Sequence, residues 1–515
     1  MLMLLIWPQL WYSKVVKNFL QKHERLICIL APTLFGVLYI VLCSINLQQS
    51  IWFDESYGAY LTRFSFEDIW GLTAADVHPP LYYFLLKLWS GIFGYTDFGM
   101  RFMSVFFGAI AIVFAWQWLK RTFGTKPALI ATLLMTLSPM LIRYGQEMRM
   151  YTMAVAIIFG ATYVLQLAID TKKRRYWIIY GILMALGMWT HYFVALIWLA
   201  HLAYLIYVYR KKIFQKNIII SYALAVVLYL PWIPSFLSQT STVQQGFWIG
   251  APSIATVTDY FTNSFLYLNS ADIAGWLLIL TVVIAFCFVS LVRRLGKKLS
   301  LLHFMAFLPP ILLILLSMPP FTPMFVDRYI IYSMICLSLI VGIGLTVVKF
   351  KSRIVAPIIM TLLFVGTSVI GIFNVYEFGN YNKTTHGKSD AKALFESVAA
   401  ISQPGEPIIS NSEWLYYDLS FYGTPEHPVY FVDEMTTYKW GSHEPLRQHD
   451  YGKIIDLDMF LAKHERVWFV GSKPSKSSLN FPRDGYSELQ VMTLNVNIDQ
   501  APYQAIEVTR LAPQS

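Results

Sequence analysis

Two adjacent carboxylates follow the first long apolar segment of this 515-residue chain. They are Asp54 and Glu55, in the sequence WFDES. A carboxylate next to apolar surroundings is costly to bury, so each of the two needs either a partner or a function. One interpretation is a general base, or an orienting group, for an acceptor hydroxyl or amine. The other is a solvated loop start, and the sequence alone leaves both open.

A third acid lies between two arginines. Arg143, Glu147 and Arg149 stand in the sequence RYGQEMRMY. A planar guanidinium binds phosphate through two parallel hydrogen bonds, and a neighbouring carboxylate can face a hydroxyl group or a cation. The same three residues would also make a simple salt-bridged turn without any chemistry, and both interpretations stay open.

Further polar residues stand at the ends of apolar segments. His78 precedes Pro79-Pro80, a pair that suits the first turn of a helix, where an anion can bind. Arg328 lies at the start of a later apolar segment, where an arginine either extends towards the membrane surface or meets a lipid phosphate. The remaining candidates share this position beside apolar segments or lie within the same motifs, and they are Arg101, His191, Tyr57, Tyr82, Tyr144 and Gln146.

Eleven apolar segments have to position these residues. The chain is 56% hydrophobic and only 14% charged, which excludes an ordinary soluble protein and indicates an integral membrane protein. The predicted fold is therefore mostly α, a polytopic bundle of membrane helices. The predicted spans are Leu26–Leu47, Met100–Leu119, Pro127–Ile142, Thr152–Ile169, Tyr176–Thr190, Phe193–Tyr209, Ile218–Phe236, Ala274–Val292, Leu302–Met318, Tyr329–Val348 and Ile354–Tyr376.

The loops between these spans predict an orientation. Of the 28 Lys and Arg residues up to position 376, 22 lie in the loops on one side, which marks that side as cytoplasmic. The N-terminus is then cytoplasmic, and the candidate residues and the C-terminus are extracytoplasmic, in a multi-pass protein of the plasma membrane. The segment from His78 to Phe93 is short and carries Lys87, so it is predicted as a helix in the outer membrane interface.

The charge changes sign after the last span. Residues 1–376 hold 28 Lys+Arg against 12 Asp+Glu, and residues 377–515 hold 12 against 18. The basic excess therefore lies in loops that touch anionic lipid, and no nucleic-acid partner is implied.

Residues 377–515 are predicted as a small extracytoplasmic α/β domain, separate from a membrane domain of residues 1–376. The pattern predicts a helix over Ser389–Ile401 and strands at Pro407–Ser410, Val429–Val432, Val467–Val470 and Leu489–Val496. The polar residues of this domain are expected to be solvated, and they include Asp418, Asp433, Glu434 and His443.

An ordered set of motifs resembles a known family. The motifs WFDES, HPPLYYFLLKLW, MRFMSVFFG, GQEMRMYTMA, WTHYF and DRYI resemble those of the bacterial family-39-type glycosyltransferases. These enzymes belong to the GT-C superfamily and are related to protein O-mannosyltransferases and to the aminoarabinose transferase of lipid A. The resemblance covers residues 26–376.

The resemblance implies an inverting glycosyltransferase whose donor is a sugar linked to a polyprenyl phosphate and whose acceptor is an extracytoplasmic glycan, lipid or protein. Asp54 matches the catalytic Asp of these enzymes and Glu147 their second acid, while His78 stands where the aminoarabinose transferase carries a lysine. Some relatives hold a divalent metal ion at the donor phosphate and others need none, so the metal requirement stays open. The alternatives are a transporter or flippase of lipid-linked saccharides and a polysaccharide ligase or polymerase.

We therefore predict one pocket at the outer membrane boundary, open to a lipid carrier. Its catalytic residues would be Asp54, Glu55 and Glu147. The donor phosphate would meet His78, Arg149, Arg328 and Arg101. The other lining residues would be Tyr57, Tyr82, Arg143, Tyr144, Gln146 and His191.

Overall fold

A computed structural model of the chain describes twelve stretches of sequence, which are residues 22–45, 47–210, 213–244, 249–268, 295–347, 355–378, 391–410, 412–432, 443–449, 451–472, 486–498 and 501–510. Two compact units make up the chain. The first unit is Met1–Leu47 with Arg101–Tyr376, and the second is Gln48–Met100 with Glu377–Ser515.

Helices dominate the described residues. In chain order the helices are α1 Glu24–Ser44, α2 Phe53–Leu61, α3 Phe66–Ala75, α4 Leu81–Phe93, α5 Asp97–Phe123, α6 Thr125–Thr136, α7 Pro139–Gly145, α8 Tyr151–Thr171, α9 Arg174–Thr190, α10 Val194–Tyr209, α11 Lys216–Tyr229, α12 Ile233–Gln244, α13 Ile254–Asn263, α14 Lys297–Leu315, α15 Ile331–Val347, α16 Val355–Phe378, α17 Ala391–Ala399, α18 Glu413–Tyr422, α19 Glu444–Gln448 and α20 Leu457–Ala462. Two short 3₁₀ turns cover Leu230–Trp232 and Asp327–Ile330.

The first unit is a bundle of apolar helices. Among the described residues seven helices are long and apolar enough to cross a membrane, and the bent pair α6–α7 would make an eighth. Helices α9 and α10 coincide with two further predicted spans and have 17 and 16 residues, at the short end of what a bilayer core requires. The predicted span Ala274–Val292 lies outside the described residues. The chain is therefore a multi-pass membrane protein, and the predicted fold class is confirmed.

The third predicted span, Pro127–Ile142, is formed by two helices with a bend between them. Helix α6 ends at Thr136, and α7 continues at an angle of 51° to it. The cause is Pro139, since a proline disfavours the helical conformation in the residue before it. Ser138 accordingly has an extended backbone, with φ −66° and ψ 120°. The bend gives α7 its own direction, and every one of its seven residues is buried.

The second unit contains the whole segment 48–100 in addition to residues of the C-terminal region, which the sequence division at 376/377 does not anticipate. Helices α2, α3 and α4 belong to this unit. Helix α3 begins with a capping box, in which Ser65 and Asp68 each accept a hydrogen bond from the other's backbone N–H. Helix α4 has 13 residues, about 20 Å at 1.5 Å per residue, which is too short to span a bilayer.

A six-stranded sheet forms the base of the second unit. Its strands are β1 Ile408–Ser410, β2 Val429–Val432, β3 Lys453–Ile454, β4 Arg466–Ser472, β5 Tyr486–Ile498 and β6 Ala501–Arg510, in the order β3-β2-β1-β4-β6-β5. The first four are parallel, and β6 and β5 add an antiparallel edge. The core on this sheet contains Ile409, Leu461 and Phe469. The predicted C-terminal helix and four strands are present, whereas β3 and β6 were not predicted.

Two polar residues of this unit are not solvated as expected. Asp418 is 8% exposed and His443 is 3% exposed. His443 packs edge-on against Trp414, with ring centroids 4.7 Å apart, and burial lowers the pKa of this histidine to about 4. Asp433 and Glu434 lie outside the described residues.

Tyr39 of α1 fixes how tightly α7 approaches the first span. It is fully buried, and its hydroxyl donates to the Leu141 carbonyl at 3.1 Å. A Cβ atom added at Gly145 would overlap this hydroxyl and lie 2.9 Å from the Cys43 sulfur. The close packing of α7 on α1 therefore requires a glycine at position 145.

We expect Gly145→Ala to lower the thermal stability of the detergent-solubilised protein, by roughly 1–3 kcal/mol for an overpacked site. Tyr39→Phe removes the nearest colliding atom and should restore part of the loss in the double variant. The matched control is Gly36→Ala in α1, where an added Cβ meets nothing within 4 Å. Equal melting temperatures for Gly145→Ala and Gly36→Ala would contradict the packing described here.

Candidate active site

The centre of the candidate site in the first unit is an ion pair within the last turn of α7 and the residues after it. Arg143 Nη1 lies 2.9 Å from Glu147 Oε2, and Glu147 is 2% exposed. A carboxylate buried this deeply requires a charged partner and further hydrogen bonds. This ion pair is present in both a salt-bridged turn and a functional site, so the two interpretations of the motif stay open.

The turn after α7 brings a second arginine to the same place. The Arg149 N–H donates to the Glu147 carbonyl at 2.8 Å, which closes a three-residue turn. Arg149 is 3% exposed, and its own carbonyl accepts from the Ser104 hydroxyl at 3.2 Å. Gln146 donates to the Cys43 carbonyl at 3.0 Å, so its amide anchors the turn to the end of α1. Two guanidinium groups and one carboxylate are thus concentrated in a few buried residues.

Sequence reasoning did not include Tyr267 in the site. Arg143 Nε donates to the Tyr267 hydroxyl at 3.3 Å. Tyr267 has φ +49°, a left-handed conformation that is rare for a bulky residue and that is often found at functional sites. Burial raises the pKa of this hydroxyl to about 12, against the lowering effect of Arg143. The hydroxyl therefore stays protonated at neutral pH and can donate a hydrogen bond.

The start of the tenth predicted span carries a further acid and base. Asp327 accepts from the Asn263 amide at 3.3 Å and from the Arg328 N–H at 2.7 Å. The Arg328 guanidinium lies 5.7 Å from the ring centre of Tyr329, which is within the range of a cation–π contact. Asn263 is a contact that the sequence did not indicate, since it lies 64 positions from Asp327.

His191 lies in an aromatic cluster of the first unit. Its ring is 5.7 Å from Tyr151 and 5.3 Å from Tyr329, and Tyr144 packs edge-on against Tyr151 at 5.0 Å. His191 is buried and is the residue at which α9 ends. These contacts join Tyr144 and His191 of the predicted set to the neighbourhood of Tyr329, next to Arg328 in the chain.

Arg101 has a different environment. It is fully buried, and its guanidinium donates to the Leu47 carbonyl at 2.9 Å. The Leu47 carbonyl lies in the chain after α1, which ends at Ser44, so Arg101 supplies a hydrogen bond to buried backbone outside the helices. This contact favours a structural role, and the predicted contact of Arg101 with phosphate stays a prediction.

The second unit holds Asp54 and Glu55 in the first turn of α2. Acids in the first turn interact favourably with the positive end of the helix dipole. Glu55 is fully buried, and Asp54 is half-buried. Of the two interpretations of WFDES, the solvated loop start does not hold, since the motif forms the start of a packed helix.

His78 and two tyrosines also belong to the second unit. His78 Nδ1 lies 3.3 Å from Asp76 Oδ2, just before α4. Tyr57 and Tyr82 are both buried, and each packs edge-on against Tyr83, at 6.3 Å and 5.6 Å. These contacts join α2 to the start of α4. His78 lies three residues before α4 in the sequence.

The candidate residues thus form two groups, one in each unit. Arg143, Glu147 and Arg149 form the charged centre of the first, and Asp54, Glu55 and His78 stand in the second. The convergence of the two groups on one pocket stays a prediction. Among the described residues no group of three or more His, Cys, Asp and Glu side chains is placed to hold a metal ion, so the metal requirement also stays open.

Comparisons with known proteins address the family. Residues 77–234 match the family model of dolichyl-phosphate-mannose-protein mannosyltransferases. The fold is similar to that of ArnT from Cupriavidus metallidurans bound to undecaprenyl phosphate, with a TM-score of 0.61 at 13% identity, over 94% of this chain and 99% of that one. An oligosaccharyltransferase from Archaeoglobus fulgidus matches with a TM-score of 0.54 at 14% identity, over 80% of this chain and 65% of that one. No curated protein matches the sequence.

The matched segment contains α4 to α11 with Arg143, Glu147, Arg149 and His191, and the fold match covers both units. The resemblance inferred from the motifs is confirmed at this level. The chain is a multi-pass membrane protein whose fold is similar to that of ArnT, and residues 77–234 match the mannosyltransferase family model.

Proposed function

We propose that this protein transfers a sugar from a polyprenyl-phosphate donor to an acceptor on the extracytoplasmic face of the plasma membrane. The observation that carries the proposal is the buried group of Arg143, Glu147 and Arg149 inside the segment that matches dolichyl-phosphate-mannose-dependent transferases. Charged side chains that are buried within an apolar bundle are costly, and their presence indicates a functional site. The similar fold of a protein that holds undecaprenyl phosphate supports the class of carrier.

The proposed reaction exchanges one bond for another. The acceptor oxygen forms a bond to the anomeric carbon of the sugar, and the bond from that carbon to the phosphate oxygen breaks. The acceptor proton passes to a carboxylate, and the lipid phosphate leaves with the bonding electron pair. The displacement inverts the anomeric centre. The donor arrives from the bilayer, in agreement with the absence of a glycine-rich phosphate loop in the sequence.

The side chains have separate roles in this proposal. Asp54 is the general base. Arg149 and Arg328, with His78, stabilise the negative charge that develops on the leaving phosphate. Arg143 holds the Glu147 carboxylate in one orientation through the 2.9 Å ion pair, and Glu147 faces the acceptor or a cation. The acceptor and the metal requirement are separate questions, and varying the acceptor fraction and the metal ions in a transfer assay addresses both.

The assay uses the full-length protein in nanodiscs with a radiolabelled polyprenyl-phosphate sugar. An enzyme releases free lipid phosphate and labels an acceptor in the membrane extract, whereas a transporter or flippase leaves the donor intact. Intact donor after incubation with every acceptor fraction, with and without divalent metal ions, would contradict the proposal.

We expect Asp54→Asn to lower kcat by about 10²–10⁴-fold, because the amide cannot accept the acceptor proton. Donor affinity and melting temperature should stay close to wild type. Asp68→Asn is the control, since this exposed carboxylate caps α3 in the same unit and should leave kcat unchanged. Wild-type turnover by Asp54→Asn would exclude Asp54 as the base.

The double variant Arg143→Met/Glu147→Gln separates a functional Glu147 from a simple salt-bridged turn. Either single substitution leaves a buried charge without its partner and should destabilise the protein, by about 3–5 kcal/mol. The double variant removes both charges and should recover most of that stability while transfer stays lost. Recovery of transfer together with stability would show that the pair is only structural.

Arg328→Ala should weaken donor binding by about ten- to hundredfold, which corresponds to the ~1.5–3 kcal/mol of a hydrogen bond to a charged group. Arg328→Lys should restore only part of it, since an ammonium cannot make two parallel bonds to a phosphate. Arg121→Ala serves as the control because Arg121 pairs with Asp170 at 2.7 Å on an exposed part of the bundle. Unchanged donor affinity in Arg328→Ala, measured by binding of the labelled lipid, would exclude this contact.

A further inference from the structure

Helix α2, which carries Asp54, is held at both ends by residues from the C-terminal part of the chain. Before the helix, the Lys392 N–H donates to the Ser50 hydroxyl at 3.1 Å, and the Ile51 N–H donates to the Tyr422 hydroxyl at 2.9 Å. After the helix, Arg63 Nη2 donates to the Ser420 carbonyl at 2.8 Å. All of these residues belong to the second unit.

A buried hydrogen bond fixes the middle of the helix. The Ser56 hydroxyl donates to the Asp418 carboxylate of α18, and both residues are buried. The two residues are 362 positions apart in the sequence. A carboxylate on a hydroxyl in a buried place forms a short, strong hydrogen bond, and its loss leaves a polar group without that partner.

Aromatic rings surround this hydrogen bond. Phe53 packs edge-on against Trp414 at 4.2 Å and against Tyr417 at 5.7 Å, and Tyr60 packs against Tyr417 at 5.0 Å. Phe53, Ser56 and Tyr60 share one face of α2, since they are spaced at three and four residues. All three residues on this face of α2 therefore contact α18.

The opposite flank of α2 packs on α4. A Cβ added at Gly58 would lie 3.6 Å from the Tyr83 ring and 3.9 Å from Leu86, so the two helices approach closely. With α18 on one side and α4 on another, α2 cannot turn about its axis without losing contacts. Asp54 lies about 100° around the helix from Phe53, at 3.6 residues per turn, and its direction is set by this packing.

The effect of a small rotation is large for a catalytic base. A side-chain atom about 5 Å from a helix axis moves by about 1 Å when the helix turns by 12°. A displacement of 1 Å in a reacting group lowers a rate by as much as about 10²-fold. Any element that fixes the rotation of α2 therefore acts on the rate through Asp54.

We propose that the C-terminal domain fixes the rotation of α2 and thereby the direction of Asp54. Asp418 is the positioning residue, and it acts on Asp54 through its hydrogen bond with Ser56. The inference rests on the proposed role of Asp54 as the base. It differs from a role of this domain in binding the acceptor alone, because it predicts an effect on kcat at saturating acceptor.

The variants Asp418→Ala and Ser56→Ala each break the hydrogen bond and should lower kcat about tenfold or more, with the KM for the donor within twofold of wild type. Asp418→Asn keeps an oxygen that accepts from the Ser56 hydroxyl and should keep kcat within threefold. The double variant Ser56→Ala/Asp418→Ala should be no slower than the slower single variant, because the two residues act through one contact.

The control is Asp456→Ala in the same domain. Asp456 is exposed and accepts from the Met459 N–H at 2.9 Å at the start of α20. This variant should lower the melting temperature without changing kcat. Hydrogen exchange gives a second readout that is independent of turnover, since Asp418→Ala and Ser56→Ala should speed exchange in α2 and Asp456→Ala should not.

The outcomes separate the two proposals. A wild-type protein that releases no lipid phosphate overturns the proposed function. An active wild type together with unchanged kcat and unchanged α2 exchange in Ser56→Ala overturns the positioning role. Loss of activity in Asp418→Asn as complete as in Asp418→Ala also overturns it, because the charge itself would then be what the reaction needs.

Discussion

The apolar surroundings of Glu147 impose the constraint on which the rest of the first unit depends. A carboxylate that is 2% exposed inside a helix bundle is stable only beside a cation, and the 2.9 Å contact with Arg143 provides it. Because the two residues are four positions apart, they meet at the end of α7. Its direction comes from the bend before Pro139, and its depth comes from the close packing of Gly145 on Tyr39. The bend before Pro139 and the packing of Gly145 thereby position the Arg143–Glu147 ion pair.

The second unit meets a different constraint, which is to stabilise a short helix by packing. Helix α2 has nine residues, and a helix of that length is marginal in isolation. Its stability therefore has to come from packing. The parallel strands supply a rigid base, β1 leads directly into α18, and α18 presents Trp414 and Tyr417 to α2. The fold of the C-terminal domain thus explains why a motif near the N-terminus can be helical.

Local patterns in the sequence were enough for much of this architecture. Apolar length predicted the spans, and alternation predicted the strands at Val429 and Val467 within a few residues. The same patterns failed where distant residues decide the structure. Strand β6 pairs with β4. The buried Asp418 accepts a hydrogen bond from Ser56, which is 362 positions away in the sequence. Tyr267 accepts a hydrogen bond from Arg143, which is 124 positions away. The bend before α7 is different, because a local residue, Pro139, causes it. The predicted span Pro127–Ile142 nevertheless included this proline without a bend.

In the proposed reaction Asp54 and Glu147 have different roles. Protonation of Glu147 would neutralise the partner of Arg143 and leave a buried guanidinium uncompensated, at a cost of several kcal/mol. The ion pair therefore favours Glu147 as a fixed charge in the proposed reaction. Asp54 is half-buried in the first turn of α2, and the packing of α2 on α18 and α4 sets the direction of its side chain. In the proposed reaction Asp54 is therefore the acid that gains and loses a proton, while Arg143 and Glu147 both keep their charges.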